Sequence, residues 1–139
     1  MKQLDTILLI DDDPAINFLH KLVIKKEGVA KEIVAHQSAE AALDYLKENA
    51  KLGYHYPELI FLDLNMPGMD GWEFIEEYEK LDNTFEQSKI VVMLSTSTDP
   101  KDRKKADFTT VVNQFLNKPL RSEDIQYILE NNTFPTYST

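Results

Sequence analysis

Cysteine is absent from the 139 residues, which excludes disulfides, thiolate metal sites and cysteine nucleophiles. Long apolar runs are absent too. The longest stretch without a charged residue is about ten residues, Phe108 to Asn117, against the ~20 that a membrane-spanning helix needs. A single early Lys2 is followed by Asp5, with no small-residue cleavage site, so no secretory signal is readable. Basic side chains are in deficit, 15 against 24 acidic ones, for a formal charge of −9. A surface of that sign repels phosphate backbones and argues against sequence-independent binding of nucleic acid. What is present is enough apolar material, 42% of the chain, to fill one core; a chain of this length buries roughly 68–70% of its unfolded surface. The sequence therefore reads as one soluble, cytoplasmic domain.

Apolar periodicity alternates between two kinds. Strand-length blocks occur at Thr6–Ile10, Lys31–Ala35, Leu59–Leu62, Ile90–Leu94 and Val111–Leu116. The first, third and fourth are nearly continuous in apolar residues, as in a parallel sheet covered on both faces, whereas Lys31–Ala35 carries two charges and suits an edge. Helical spacing links Ile16, Leu19, Val23 and Ile24 ahead of Gly28, then Ala39, Ala42, Leu43 and Leu46, then Phe74, Ile75, Tyr78 and Leu81, and finally Ile125, Ile128 and Leu129. Ser38, Asp13-Pro14 and Asp99-Pro100 have the form of helix starts, with the last helix capped near Ser122. Five β-α units with right-handed crossovers give a flavodoxin-like, doubly wound α/β sandwich with a parallel sheet in the order 2-1-3-4-5. The expected boundaries are a domain over 1–131 and a polar tail over 132–139, with no effector domain.

In open α/β sheets the chemistry lies beyond the carboxyl ends of the strands. Strand 1 ends in Asp11-Asp12-Asp13, strand 3 in Asp63-Leu64-Asn65, strand 4 in Ser95 and strand 5 in Asn117-Lys118-Pro119. Strands 1 and 3 are neighbours in that order, so Asp11, Asp12 and Asp63 converge. Two carboxylates about 4 Å apart repel by ~4 kcal/mol at an effective dielectric near 20, so such a cluster either holds protons or binds a cation. Hard oxygen ligands in an open, partly hydrated arrangement favour Mg²⁺ or Mn²⁺. Lys118 adds a second positive charge. Each residue type has a use in phosphoryl transfer: a carboxylate nucleophile (Asp63 lies centrally), and a lysine and a hydroxyl for the other oxygens. Asp13, before Pro14, reads as a helix cap. Taken singly, Asp11 and Asp12 are solvated loop acids, Lys118 a surface lysine and Ser95 a cap; the joint placement of Asp11, Asp12, Asp63, Ser95 and Lys118 at four strand ends favours the functional reading.

The segments Ile7 to Pro14, Phe61 to Gly71, Ser95 and Phe115 to Leu120 resemble the receiver domain of two-component response regulators, over about Thr6 to Asn131. The resemblance implies a single-domain, Mg²⁺-dependent regulator whose Asp63 takes a phosphoryl group from a phosphohistidine of a sensor kinase or phosphotransfer protein. It implies metal binding by Asp12, Asp63 and the carbonyl of Asn65, with Asp11 assisting, and contacts from Ser95 and Lys118 to the phosphoryl group. It also implies a switch in which Ser95 and Phe115 reorganise, so that the face of helix 4, strand 5 and helix 5 changes its affinity for a protein target.

The sequence departs from that pattern in places. Ser95 stands where threonine is more usual, and Phe115 lacks the tyrosine hydroxyl often found there. Asp107 to Gln114 has no glycine, which implies a reshaped turn, and Lys51 to Pro57 is longer than a minimal connection. Asn65 and Ser97 flank the expected pocket and bear on the lifetime of the phosphorylated state. Trp72 reads as a helix-packing residue, and His20, His36 and His55 form no metal spacing. Two other functions stay open: a receiver-like binding module that is never phosphorylated, and an aspartyl-phosphate phosphohydrolase. The latter class carries a second acid two residues after its nucleophile, where this chain has Asn65.

Overall fold

The computed structural model describes residues 3–53, 57–81, 90–96, 99–107 and 112–132. Ten elements alternate in chain order: β1 Leu4–Ile10, α1 Pro14–Glu27, β2 Ala30–His36, α2 Ala39–Lys51, β3 Leu59–Asp63, α3 Gly71–Glu79, β4 Ile90–Ser95, α4 Pro100–Asp107, β5 Val112–Asn117 and α5 Ser122–Asn131. All strand pairings are parallel, and the sheet order is β2-β1-β3-β4-β5. This is the doubly wound arrangement read from the sequence.

The continuous apolar runs resolve into two faces with period two. Leu8, Ile10, Ile60, Leu62, Val91 and Met93 pack under α2 and α3, against Ala42, Leu46, Phe74 and Ile75. Ile7, Leu9, Leu59, Phe61, Val92 and Leu94 pack on the other side, against Ile24 of α1 and Ile125 and Ile128 of α5. The charged strand β2 lies at the sheet edge, as its composition suggests. At β5 the register shifts between Val91 and Val92, so that Val91 pairs with Val112 and Val92 with Gln114. The Asn113 side chain accepts from the Val91 N–H at 3.0 Å, replacing a ladder bond. That irregularity lets Val112 and Phe115, three residues apart, share the α3–α4 face.

Helix starts follow their caps. Asp13 caps α1 with Pro14 at its first position, Ser38 caps α2, and Asp70 and Glu73 form a reciprocal capping box at α3. Asp99 accepts from the Lys101 N–H at 2.9 Å at the start of α4. Gly28 ends α1 in the left-handed region at φ 64°, its N–H returning to Ile24 and Lys25. The last helix starts near Ser122 as expected: Arg121 holds the cap position, Ser122 is the first helical residue of α5, and the Asp124 carboxylate accepts from the Arg121 N–H at 3.0 Å. The Asp124 N–H, which a capping hydroxyl would have taken, donates instead to the Arg121 carbonyl at 3.0 Å.

The stripe of α1 is also corrected. Asn17, His20 and Ile24 are its buried residues, whereas Leu19 is 42% exposed beside exposed Phe18 and Leu22. The polar side chains turn inward because the strand ends offer backbone groups that need partners. Asn17 donates to the Asp11 carbonyl at 2.9 Å, and His20 accepts from the Leu120 N–H at 3.1 Å. Val111, His55, Ser97, the central part of the Asp107–Gln114 turn and the tail beyond Asn132 lie outside the described residues.

Candidate functional site

Four strands run one residue further than the apolar blocks indicated, ending on His36, Asp63, Ser95 and Asn117. Asp63 is therefore held by a sheet ladder, in register with Leu94, rather than by a loop. Just beyond it the Leu64 N–H donates to the Leu94 carbonyl at 3.3 Å, and the Asn65 N–H reaches the Asp63 carboxylate at 3.4 Å. Gly71 makes room for this turn. Its N–H donates to the Leu64 carbonyl at 2.9 Å, and a Cβ there would lie 2.8 Å from the Asp63 carbonyl oxygen.

At the neighbouring end of β1, Asp11 is buried, Asp12 and Asp13 are exposed, and the Asp13 N–H donates to the Asp11 carboxylate at 2.9 Å. One carboxylate oxygen from each of Asp11, Asp12 and Asp63 lies within 4.8 Å of the others. Lys118 reaches in from the end of β5, its Nζ 2.6 Å from Asp11 and 2.9 Å from Asp63. Its own N–H donates to the Ser95 carbonyl at 3.0 Å, tying the lysine loop to β4. These residues wall an open cleft of about 500 Å³ together with Asn65, Thr96 and the apolar Ile16 and Leu19.

The electrostatics follow from burial and mixed neighbours. Burial pushes the Asp63 carboxyl up to about 6; the Lys118 ammonium opposes this, and Asp11 and Asp12 add to it. Burial alone would pull Lys118 down, but its bonds and charge contacts with Asp11 and Asp63 outweigh that and hold its pKa above the ordinary lysine value. Three carboxylates against one ammonium leave two negative charges uncompensated at neutral pH. The donor set is all hard oxygen and faces an open cleft, which fits a divalent cation of the Mg²⁺ class.

The sequence-expected residues separate into two groups. Asp11, Asp12, Asp63, Asn65 and Lys118 line one cleft. Ser95 is fully buried at the end of β4, with Thr96 rather than Ser95 on the cleft wall. Phe115 is 8% exposed and already faces the core, under the Arg103 guanidinium 5.2 Å from its ring centroid. Arg103 also donates to the Phe115 carbonyl at 3.4 Å. Trp72 packs at the edge of the α3-side core with the Lys105 ammonium 4.8 Å from its ring centroid. Sequence reasoning missed both cation–ring contacts, and it missed His20, which periodicity alone could not distinguish from a surface residue.

A family model described as the response regulator receiver domain matches residues 7–130. The chain is 32% identical over 124 residues to a probable methanogenesis regulatory protein, FilR2, of Methanothrix harundinacea, covering 89% of this chain and 78% of that one. It is 30% identical over 126 residues to response regulator Rre1 of Synechocystis, covering 91% of this chain and half of that protein. A crystal structure of a two-component response regulator from Cytophaga hutchinsonii superposes with a TM-score of 0.84 at 35% identity, covering 91% and 94% of the two chains.

Proposed function

The chain belongs to the response regulator receiver domain family, and from that premise we propose that Asp63 is a phosphoacceptor served by a phosphohistidine of a sensor kinase or phosphotransfer protein. In the step, an Asp63 carboxylate oxygen attacks phosphorus, an acyl phosphate P–O bond forms, and the P–N bond breaks with its electron pair leaving on the imidazole. The observation that carries this reading is the bridging ammonium of Lys118, 2.9 Å from Asp63 and 2.6 Å from Asp11 at the floor of the cleft.

A divalent ion held by Asp11, Asp12 and Asp63, with the Asn65 carbonyl, would supply charge neutralisation for the phosphoryl oxygens. Lys118 is placed to move from carboxylate pairing to phosphoryl pairing, which keeps a positive charge beside Asp63 throughout. Phe115 pairs with Met93, two residues before Ser95 along β4, and shares its core face. A change at Ser95 on phosphorylation reaches the Phe115–Arg103 contact and through it α4, where it alters the affinity for a protein target. Ile16 and the exposed Leu19 of α1 border the cleft and supply an apolar seat for the phosphodonor, continued along the helix by exposed Phe18 and Leu22.

The test is incubation of the chain with Mg²⁺ and either a small acyl phosphate or a phosphorylated histidine donor, read by intact mass. The expected result is a gain of one phosphoryl group that is lost in Asp63→Asn and on removal of the metal. No gain from any donor would favour a binding module that is never phosphorylated, and steady turnover of a phosphomonoester would favour a phosphohydrolase.

A further inference from the structure

We propose that His20 is a positioning residue for Lys118, acting as the second of two backbone anchors that fix the lysine over Asp63. The inference rests on the phosphoacceptor reading for its kinetic consequence, and on geometry alone for its structural one. Pro119 has no N–H, so the backbone donors on either side of it are those of Lys118 and Leu120. Both are engaged. The Lys118 N–H donates to the Ser95 carbonyl of β4 at 3.0 Å, and the Leu120 N–H donates to His20 Nε2 of α1 at 3.1 Å.

The two anchors belong to different elements. Ser95 lies at the end of β4, while His20 belongs to the helix that begins immediately after Asp11, Asp12 and Asp13. The backbone that carries Lys118 is thus referenced to two of the strand ends that build the cleft. His20 is 2% exposed and its bond spans 100 residues of chain, so it is no local turn contact. An imidazole that accepts at Nε2 is neutral and carries its proton on Nδ1. Burial favours that neutral form; the Asp11 charge opposes it and the Lys118 charge supports it. An apolar residue at this position would fill the space but leave the Leu120 N–H buried without an acceptor, and the loop would move to find one. A displacement of about 1 Å at a reacting group can cost on the order of a hundredfold in rate, so a partial slackening corresponds to a loss of about tenfold.

Two variants of the full chain test this: His20→Leu, which removes the acceptor, and His20→Gln, which keeps one. Two readouts are compared with the unaltered protein. One is the NMR signal of the Lys118 ammonium without metal. The other is the maximal rate of phosphorylation by a small acyl phosphate with Mg²⁺, separated from the donor concentration at half-maximal rate. The expected outcome for His20→Leu is a Lys118 signal displaced toward that of a free lysine and a maximal rate lower by about tenfold, with half-saturation little changed; His20→Gln restores both. A folded His20→Leu protein with an unchanged Lys118 signal and rate overturns the proposal, as does His20→Gln behaving like His20→Leu. If His20→Leu does not fold, the unaltered protein decides: a nitrogen–nitrogen coupling between the Leu120 amide and His20 Nε2 supports the anchor, and its absence overturns it. Failure of the unaltered protein to take a phosphoryl group would overturn the role of Asp63, leaving the Lys118 signal to judge His20 separately.

Discussion

Lys118 and Asp63 meet at 2.9 Å, and the same ammonium lies 2.6 Å from Asp11, so the lysine is a structural counter-ion to both carboxylates. The carboxylates are nearly buried, at 4% exposure for Asp11 and 5% for Asp63. Two such groups side by side are tolerated because one lysine bridges them, and the third acid, Asp12, is left in water.

Lys118→Met removes the bridge and keeps most of the stem. Breaking one member of a buried pair costs about 3 kcal/mol or more, and here the loss depends on pH. Asp63 is already raised to about 6, mainly by burial, with Lys118 opposing the rise; without the lysine it rises further. A carboxyl with a raised folded-state pKa contributes stability at low pH that disappears as pH climbs through that value. The deficit relative to the unaltered protein is therefore expected to be small near pH 5 and to grow toward pH 8 in urea titrations. A deficit that is flat across this range would contradict the account.

The same raised pKa governs reactivity. In the proposed phosphoacceptor role Asp63 attacks phosphorus in its ionised form, so the phosphorylation rate at low Mg²⁺ should fall as pH drops through about 6. Metal binding competes with the proton, and the acid limb should therefore move to lower pH as Mg²⁺ is raised. Rates with a small acyl phosphate, measured on a grid of pH and metal concentration, check this. A limb that stays fixed at all metal concentrations would mean that Asp63 does not share its charge with the ion.

Much of this was legible beforehand, for a physical reason. Continuous apolar runs such as Leu59–Leu62 and Ile90–Leu94 mark strands covered on both faces, and a parallel sheet with short connections has few possible orders, so the convergence of Asp11, Asp12, Asp63 and Lys118 followed from topology. Residues whose role is a single long-range hydrogen bond were not legible. His20 and Asn17 face inward because of carbonyls and an N–H contributed by β1 and by the loop after β5, which α1's own periodicity does not encode. The β5 irregularity was hidden for the same reason: Asn113 looks like a solvent residue until its side chain is seen to take the place of a ladder acceptor.

Gly71 is expected to be intolerant of even one added carbon. A Cβ there would sit 2.8 Å from the Asp63 carbonyl oxygen and 3.0 Å from the Leu64 Cα, both backbone atoms that cannot rotate away. Gly71→Ala should cost about 1–3 kcal/mol, in the range of other overpacked sites, and slow phosphorylation because relief comes from shifting the end of β3. Denaturation midpoints and acyl phosphate kinetics on the same preparation test both parts. A variant as stable and as fast as the parent would show that α3 yields without disturbing Asp63.

Helix α4 is lightly tethered: Ala106 is buried, and the helix's other residues are half-buried or exposed. Arg103 holds it to β5 through the Phe115 ring and carbonyl, a contact of the kind worth about 0.5–1 kcal/mol at an exposed site. Arg103→Ala should therefore raise amide hydrogen exchange in α4 by roughly two- to fivefold while leaving the amides of β1 and β3 unchanged. Equal acceleration throughout the sheet would indicate global destabilisation, and none at all would remove Arg103 from any coupling between Phe115 and α4.

Asp12→Ala separates the metal from the fold. Asp12 is exposed, its carboxylate lies within 4.8 Å of those of Asp11 and Asp63, and its side-chain hydrogen bond to Asp63 raises the Asp63 pKa, so without a cation it does not stabilise the ionised cluster. Its removal should leave the metal-free melting temperature unchanged or slightly higher. The unaltered protein should gain about 2.7 kcal/mol when Mg²⁺ is present at a hundred times its dissociation constant, and the variant should gain almost nothing at that concentration. Thermal melts with and without Mg²⁺ give both numbers. A metal-free variant that melts several degrees below the parent would mean that Asp12 supports the apo fold, and full retention of the Mg²⁺ gain would place the ion on other ligands.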